Sequence, residues 1–104
     1  MKNIESKIQI ACVRWFRYQY PQYSKCFYSV PNGGNRDVIT GAILKAEGAL
    51  AGVADLHLAV ANKFYHGLYL EMKQPKGRQT ETQKEFQDAV QLQGYKYVIC
   101  RSFE

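Results

Sequence analysis

The sequence contains no long run of apolar residues, and the segment that follows Met1 is polar and charged. A membrane-spanning helix needs about 20 predominantly apolar residues, and a secretory signal needs an apolar stretch close to the amino terminus. We therefore expect neither a membrane span nor a signal peptide.

Cysteine is scarce, and its three copies, Cys12, Cys26 and Cys100, are scattered along the chain. None belongs to a closely spaced pair of the kind that binds structural zinc, and an odd, scattered set does not indicate a disulfide framework. This usage predicts reduced, buried and unreactive thiols in a cytoplasmic protein.

Acidic residues are outnumbered by basic ones in the 104-residue chain, and the formal net charge is +5 at pH 7. The length predicts one domain over residues 1–104, and a hydrophobic fraction of 46% is sufficient for a core. A basic domain attracts polyanions such as nucleic acids. Many basic proteins bind no nucleic acid, so the charge alone leaves the partner open.

Apolar spacing and chain-breaking residues predict seven elements in the order α-β-α-β-β-α-β. Helices are expected over residues 3–18, 35–47 and 80–93, and strands over residues 25–30, 55–61, 67–73 and 95–100. Ile4, Ile8 and Trp15 mark the expected buried stripe of the first helix. Thr80 and Gln83 match a capping box at the start of the last helix. The pattern predicts a mixed α/β domain around a central sheet.

The expected hairpin of the second and third strands contains the strongest candidates for catalytic residues. Alternate residues of a strand share a face, so Glu71 and Lys73 are expected to point the same way. A hairpin symmetric about Phe64 would pair Asp55 with Lys73, and His57 with Glu71. Cross-strand neighbours lie about 5–8 Å apart, which would bring two carboxylates and a lysine together at the sheet end.

Two carboxylates beside a lysine suit hydrolysis of a phosphodiester. Mg²⁺ prefers oxygen ligands and, held by Asp55 and Glu71, would polarise a phosphate and lower the pKa of a bound water. Lys73 would position that water or offset charge in the transition state. A strand Glu-x-Lys is more often a solvated ion pair, so both interpretations stay open at this point.

These residues are part of a longer series of markers. In chain order the series is Glu5 and Gln9, Val30-Pro31-Asn32-Gly33-Gly34, Arg36, Lys45-Ala46-Glu47-Gly48, Gly52-Val53-Ala54-Asp55, Leu70-Glu71-Met72-Lys73, Gln83, and Gly94-Tyr95. The set resembles the VRR-NUC branch of the PD-(D/E)XK nucleases, a group with many small phage members. The resemblance runs from about Glu5 to Ser102, with Ala54 where the family often has proline.

The resemblance implies a restriction-endonuclease-like mixed sheet flanked by helices, in a DNA nuclease that uses Mg²⁺ or Mn²⁺. It also implies action on branched or flapped DNA in replication, repair or recombination, in the cytoplasm of a bacterium infected by phage. The implied metal ligands are Asp55, Glu71 and the backbone carbonyl of Met72. Lys73 would be the catalytic lysine, Glu5 would reach the metal directly or through water, and Gln83 would support the site.

Other residues are weaker candidates. Expected contacts with the DNA backbone are Arg36, Lys45, Lys76 and Arg78. Residues 31–36 fit either a phosphate-binding nest or an ordinary turn, and residues 76–78 fit a mobile flap over the substrate. His57 is a candidate general base, although a structural role is favoured. Packing is favoured over base stacking for a mixed set of side chains: Tyr18, Tyr20, Tyr23, Tyr28, Arg14, Arg17 and Lys25.

Three functional hypotheses remain open from the sequence. The first is an active DNA nuclease, the second a non-catalytic module for DNA binding or assembly, and the third a hydrolase of RNA or small molecules on the same fold. Cleavage of a symmetric junction would also need paired sites in a homodimer or higher assembly. The sequence does not show that pairing.

Overall fold

A computed structural model describes residues 2–31 and 38–102. Its elements are α1 (Lys2–Gln19), a 3-10 helix (Pro21–Cys26), β1 (Phe27–Ser29), α2 (Val38–Ala46), β2 (Leu56–Leu58), β3 (Leu68–Met72), α3 (Glu81–Leu92) and β4 (Lys96–Cys100). Their order confirms the predicted succession of helices and strands. Within the described residues, no helix is long and apolar enough to cross a membrane.

The strands form one mixed sheet in the order β1-β2-β3-β4. β1 and β2 are antiparallel, as are β2 and β3, whereas β3 and β4 are parallel. Parallel neighbours need a crossover connection, and α3 supplies it. This helix packs on one face of the sheet, where Phe86 makes an edge contact with Tyr69 at a centroid distance of 5.0 Å.

The opposite face of the sheet carries the hydrophobic core. Phe27, Leu56 and Met72 are buried there, and α1 covers them. The Phe16 ring of α1 lies 4.3 Å from the ring of Phe27, measured between centroids. Period-two alternation explains the division, because Leu56 and Met72 point to this face while His57 and Glu71 point to the other.

The buried side of α1 differs from the predicted stripe. Ile8 packs against the core as expected, but its companions are Val13 and Phe16. Ile4 and Trp15, which were expected to be buried, are exposed. Trp15 instead makes an edge contact with Tyr20 just beyond the helix. A helix with apolar residues on several sides has more than one possible buried face, and here contact with Phe27 decides it.

The hairpin register also differs from the prediction, although the faces do not. His57 pairs with Tyr69 rather than Glu71, and Leu56 pairs with Leu70. The Asn62 side chain accepts the N–H groups of Phe64 and Tyr65, both at 2.8 Å, and so centres the turn before Phe64. The resulting shift is two residues along the third strand, which preserves the face of every side chain.

The first strand is shorter than expected at its start. Pro21 begins the 3-10 helix, which includes Lys25 and Cys26, so that β1 starts only at Phe27. Proline fixes the backbone angle that suits the first position of a helical turn. Pro21 ends the first helix as predicted, but the helical turn that it begins extends to Cys26 and replaces the predicted start of the strand.

The cysteines are free thiols that are only partly buried, which corrects the expectation of full burial. The Sγ atoms of Cys12 and Cys100 lie 3.9 Å apart and join α1 to β4. Burial, followed by the proximity of Cys100, raises the pKa of Cys12 to about 11. A thiol with such a pKa stays protonated at neutral pH and is a poor nucleophile.

Two glycines give a matched test of how the fold positions the segment before β2. Gly52 has a φ of +92°, and an added Cβ would lie 2.4 Å from the main-chain oxygen of Thr82 in α3. We expect Gly52→Ala to lower the free energy of unfolding by about 2 kcal/mol or more. The added Cβ would clash with Thr82, and alanine is strained at this positive φ angle. Urea unfolding measures the change.

Gly41 in α2 is the control, since an added Cβ meets nothing within 4 Å. Gly41→Ala is expected to raise the free energy of unfolding by roughly 0.5–1 kcal/mol, because alanine is favoured inside helices. Equal effects of the two substitutions would contradict the assigned role of Gly52.

Candidate active site

Asp55 lies at the start of β2, where main-chain contacts hold it in place. Its carbonyl oxygen accepts the N–H of Val30 at 2.8 Å, which ties it to the end of β1. Its Oδ2 atom accepts the N–H of Met72 at 2.7 Å, which ties it to the end of β3. Ala54 is fully buried just before it. The carboxylate is therefore fixed at the sheet end between two strands.

Glu71 lies next to Asp55 at the same sheet end. The pairing of Leu56 with Leu70, continued by one residue, places the two acidic residues opposite each other. Only 2% of Glu71 is exposed. Burial, followed by the proximity of the Asp55 charge, raises the pKa of Glu71 to about 7, while Lys73 and a hydrogen bond from Tyr97 oppose the rise.

Three side chains surround the Glu71 carboxylate. Gln83 Nε2 donates to Oε2 at 3.0 Å, and the Tyr97 hydroxyl donates to Oε1 at 3.3 Å. Lys73 Nζ lies 4.0 Å from Oε2 and is itself buried. Both carboxylate oxygens thus have a donor, as a buried charge requires.

Gln83 performs two tasks with its one amide group. Its Oε1 accepts the N–H of Thr80 at 2.9 Å, and Thr80 Oγ1 accepts the N–H of Gln83 at 3.2 Å. This reciprocal pair confirms the predicted capping box at the start of α3. Because the oxygen is used by the cap, the amide nitrogen is directed to Glu71.

Tyr97 and Gln79 are parts of the network that sequence reasoning missed. Gln79 Nε2 contacts both the Tyr97 hydroxyl at 3.2 Å and Gln87 Oε1 at 2.9 Å. Tyr97 pairs with Tyr69 in the parallel register of β3 and β4, so it points to the same face as Glu71. The alternation of β4 was visible in the sequence, but its register against β3 was not.

The turn that follows Lys73 is held from β4 rather than left free. Arg101 Nη1 donates to the main-chain oxygens of Gly77, Gln74 and Pro75 at 2.6, 3.1 and 3.4 Å. Gly77 N–H also donates to the Gln74 oxygen at 2.9 Å. These bonds argue against the predicted mobile flap. They leave Lys76 and Arg78 exposed on a fixed turn.

Other predicted site residues stand apart from this cluster. Glu5 is half-buried in the first turn of α1, and Lys45 is exposed in the last turn of α2. No hydrogen bond or ion pair joins either of them to the cluster in the described part of the chain. Of the predicted nest at residues 31–36, residues 32–36, which include Arg36, lie outside the described residues.

His57 lies on the same sheet face, but its contacts are aromatic. Its ring stacks on Tyr69 at a centroid distance of 4.3 Å, and its Nδ1 lies 2.7 Å from the Tyr28 hydroxyl. Burial lowers the pKa of His57. These contacts agree with the favoured structural role.

The donors at the sheet end fit a hard divalent cation. Asp55 and Glu71 offer carboxylate oxygens, and Met72 offers a main-chain carbonyl between Glu71 and Lys73; Mg²⁺ and Mn²⁺ prefer such ligands. Two adjacent carboxylates repel each other, and a cation would relieve that repulsion. Across residues 2–31 and 38–102, no three His, Cys, Asp or Glu side chains converge to hold a metal.

The raised pKa of Glu71 predicts how stability depends on pH in the absence of metal. Between about 4.5 and 7 the folded protein keeps a proton that the unfolded chain loses. Folding therefore binds protons, and the free energy of unfolding should fall by roughly 3 kcal/mol as pH rises through this window. Urea unfolding in EDTA at several pH values measures it.

Glu71→Gln should remove this pH dependence, because glutamine does not ionise. Glu85→Gln on the exposed side of α3 is the control and should keep it. A Glu71→Gln protein whose stability still falls across the same window would show that another group is responsible.

Comparison with known proteins agrees with this architecture. The family model described as "VRR-NUC domain" matches residues 3–104. A solved structure named "VRR_NUC domain protein" superposes with a TM-score of 0.83 at 25% sequence identity, covering 96% of this chain and 79% of that one. No curated protein matches the chain. The fold is consistent with the PD-(D/E)XK superfamily, and the chain belongs to the VRR-NUC domain family.

Proposed function

We propose that this protein is a metal-dependent nuclease that hydrolyses phosphodiester bonds in DNA. The observation that carries the proposal is the pair of acidic residues at the sheet end. Asp55 accepts the Met72 N–H at 2.7 Å, and the buried Glu71 lies opposite it with a raised pKa. Membership of the VRR-NUC family supports the same activity.

The acidic pair would hold Mg²⁺ or Mn²⁺ with the help of the Met72 carbonyl. When bound, such a cation polarises a phosphate and lowers the pKa of a water. Gln83 and Tyr97 fix the Glu71 carboxylate by donating to its two oxygens, so the ligand needs little rearrangement. This role of Gln83 is that of a positioning residue, because it acts through Glu71.

Lys73 would act on the phosphate or the attacking water. Hydrolysis forms a bond from the water oxygen to phosphorus and breaks one phosphorus–oxygen ester bond. The water gives up a proton, the departing sugar oxygen takes one up, and negative charge grows on the phosphate oxygens in the transition state. An ammonium group 4.0 Å from Glu71 can donate to one of these oxygens or orient the water. Its burial against the sheet restricts the positions it can take.

DNA as substrate is supported by charge and by the family. The net charge is +5, and Lys76 and Arg78 stand exposed on the turn that directly follows Lys73. Phosphate contacts of this kind position a nucleic acid but do not select its sequence. Lys45 and Arg36 stay predicted phosphate contacts, and Glu5 stays predicted to reach the metal directly or through water.

Cleavage of labelled linear, nicked, flapped and four-way DNAs tests the activity. We expect cutting with Mg²⁺ or Mn²⁺, none with EDTA, and a loss of roughly a hundredfold or more for Lys73→Ala. Lys63→Ala removes an equally charged side chain from an exposed loop and should cut as wild type does. RNA competitors in the same assay distinguish the two polymers.

Binding of Mn²⁺ measured by calorimetry tests the ligands independently of catalysis. Asp55→Asn keeps an oxygen that can accept the Met72 N–H but removes the charge, so it should fold and bind Mn²⁺ at least about tenfold more weakly. Folded wild-type protein that neither binds Mn²⁺ nor cuts any DNA would overturn the proposal in favour of a non-catalytic DNA-binding module.

We further propose that the protein forms a homodimer, whose two active sites would cut both strands of a substrate. Ile39, Ile43 and Leu50 are exposed apolar side chains on and just after α2, and a second copy would cover such a surface. Size-exclusion chromatography with light scattering should then give twice the 12.0 kDa mass of one chain. A monomer both with and without DNA would exclude the version that cuts four-way junctions.

A further inference from the structure

A groove of about 340 Å³ runs between α1 and the outer edge of β1. Its polar lining consists of Gln9, Arg14, Arg17, Tyr28 and Ser29. Ile10 and Val13 supply its apolar floor. Because the lining contains two arginines and no acidic residue, the groove attracts anions. Its volume falls at the low end of ligand pockets, roughly 300–1,000 Å³, and suits a segment of one strand rather than a duplex.

The two arginines are available to a ligand. Arg14 and Arg17 are three residues apart on α1, a spacing that places both on one side of a helix. Both are exposed, and neither pairs with a carboxylate in the described part of the chain. A guanidinium group presents several N–H donors in a plane that matches phosphate oxygens.

The strand side of the groove adds further donors. β1 is an edge strand, and its bonds to β2 alternate, since Val30 N–H donates to Asp55 and Ala59 N–H donates to Cys26. By this alternation the main-chain N–H of Ser29 points to the outer edge. Ser29 lines the same groove, and its pairing with Leu56 directs its side chain to the face of the sheet that α1 covers.

The groove lies next to the proposed catalytic end of the sheet. Ser29 pairs with Leu56, and the next residue, Val30, bonds to Asp55 at 2.8 Å. Adjacent strands are about 4.8 Å apart, so β1 and β3 are separated by roughly 10 Å. This separation is short enough for one DNA strand to reach from the groove to the sheet end.

We propose that this groove binds the phosphodiester backbone of the substrate strand a few nucleotides from the bond that is cut. Arg14 and Arg17 contact the phosphates, and Ser29 donates to them from the strand edge. The inference rests on the proposed nuclease function for the meaning of the cut bond, but the binding itself requires no catalysis.

Fluorescence anisotropy with labelled single-stranded and flapped DNA in EDTA, across a range of salt concentrations, tests the groove. The test variant is Arg14→Ala/Arg17→Ala, and the control is Lys7→Ala/Lys63→Ala, which removes the same two charges from exposed positions outside the groove. We expect the groove variant to lose roughly tenfold or more in affinity, with a salt slope smaller by about 2. The control should lose no more than about threefold.

Cleavage kinetics with Mg²⁺ supply a second readout. The groove variant should raise KM while kcat at saturating DNA stays close to wild type, because in the described part of the chain no hydrogen bond or ion pair joins Arg14 or Arg17 to Lys73 or the acidic pair. Suppose that neither the wild type nor either variant cuts DNA, and that only the groove variant binds DNA weakly. The nuclease function then fails, and DNA binding by the groove is supported. Equal affinities of the groove and control variants, or no DNA binding by wild type, would overturn the groove.

Discussion

The sheet end is organised by a carboxylate that has been taken out of water. Glu71 is buried opposite Asp55, and burying one charge beside another of the same sign is costly unless both are compensated. Donors from α3 and β4, together with Lys73, compensate it. The ends of α3 and β4 thus lie around the Glu71 carboxylate and supply the donors that a buried carboxylate requires.

The start of α3 shows how closely folding and the site are joined. A capping box stabilises a helix start, and its glutamine normally turns back to the cap alone. Here the second half of the Gln83 amide reaches Glu71, while Gly52 packs so closely on Thr82 that no Cβ fits between them. The start of α3 therefore contacts both Glu71 and the segment that leads to Asp55.

Much of this arrangement follows from local patterns. Alternation along each strand placed Asp55 and Glu71 on one face, and the capping box located Gln83. Interactions between distant segments decided what the patterns could not. Asn62 set the hairpin register, contact with Phe27 chose the buried side of α1, and the parallel pairing of β4 brought in Tyr97 from 26 residues away. A period of two or 3.6 residues carries no information on such pairings.

The hydrogen bonds from Arg101 to the turn after Lys73 affect which residues of this surface can be substituted. The guanidinium group donates to three main-chain oxygens of the turn. These bonds involve the main chain at positions 74, 75 and 77 and do not depend on the side chains at positions 76 and 78. Lys76 and Arg78 can therefore be exchanged for other residues, which alters the surface charge beside the buried lysine, while the bonds from Arg101 to the main chain are kept.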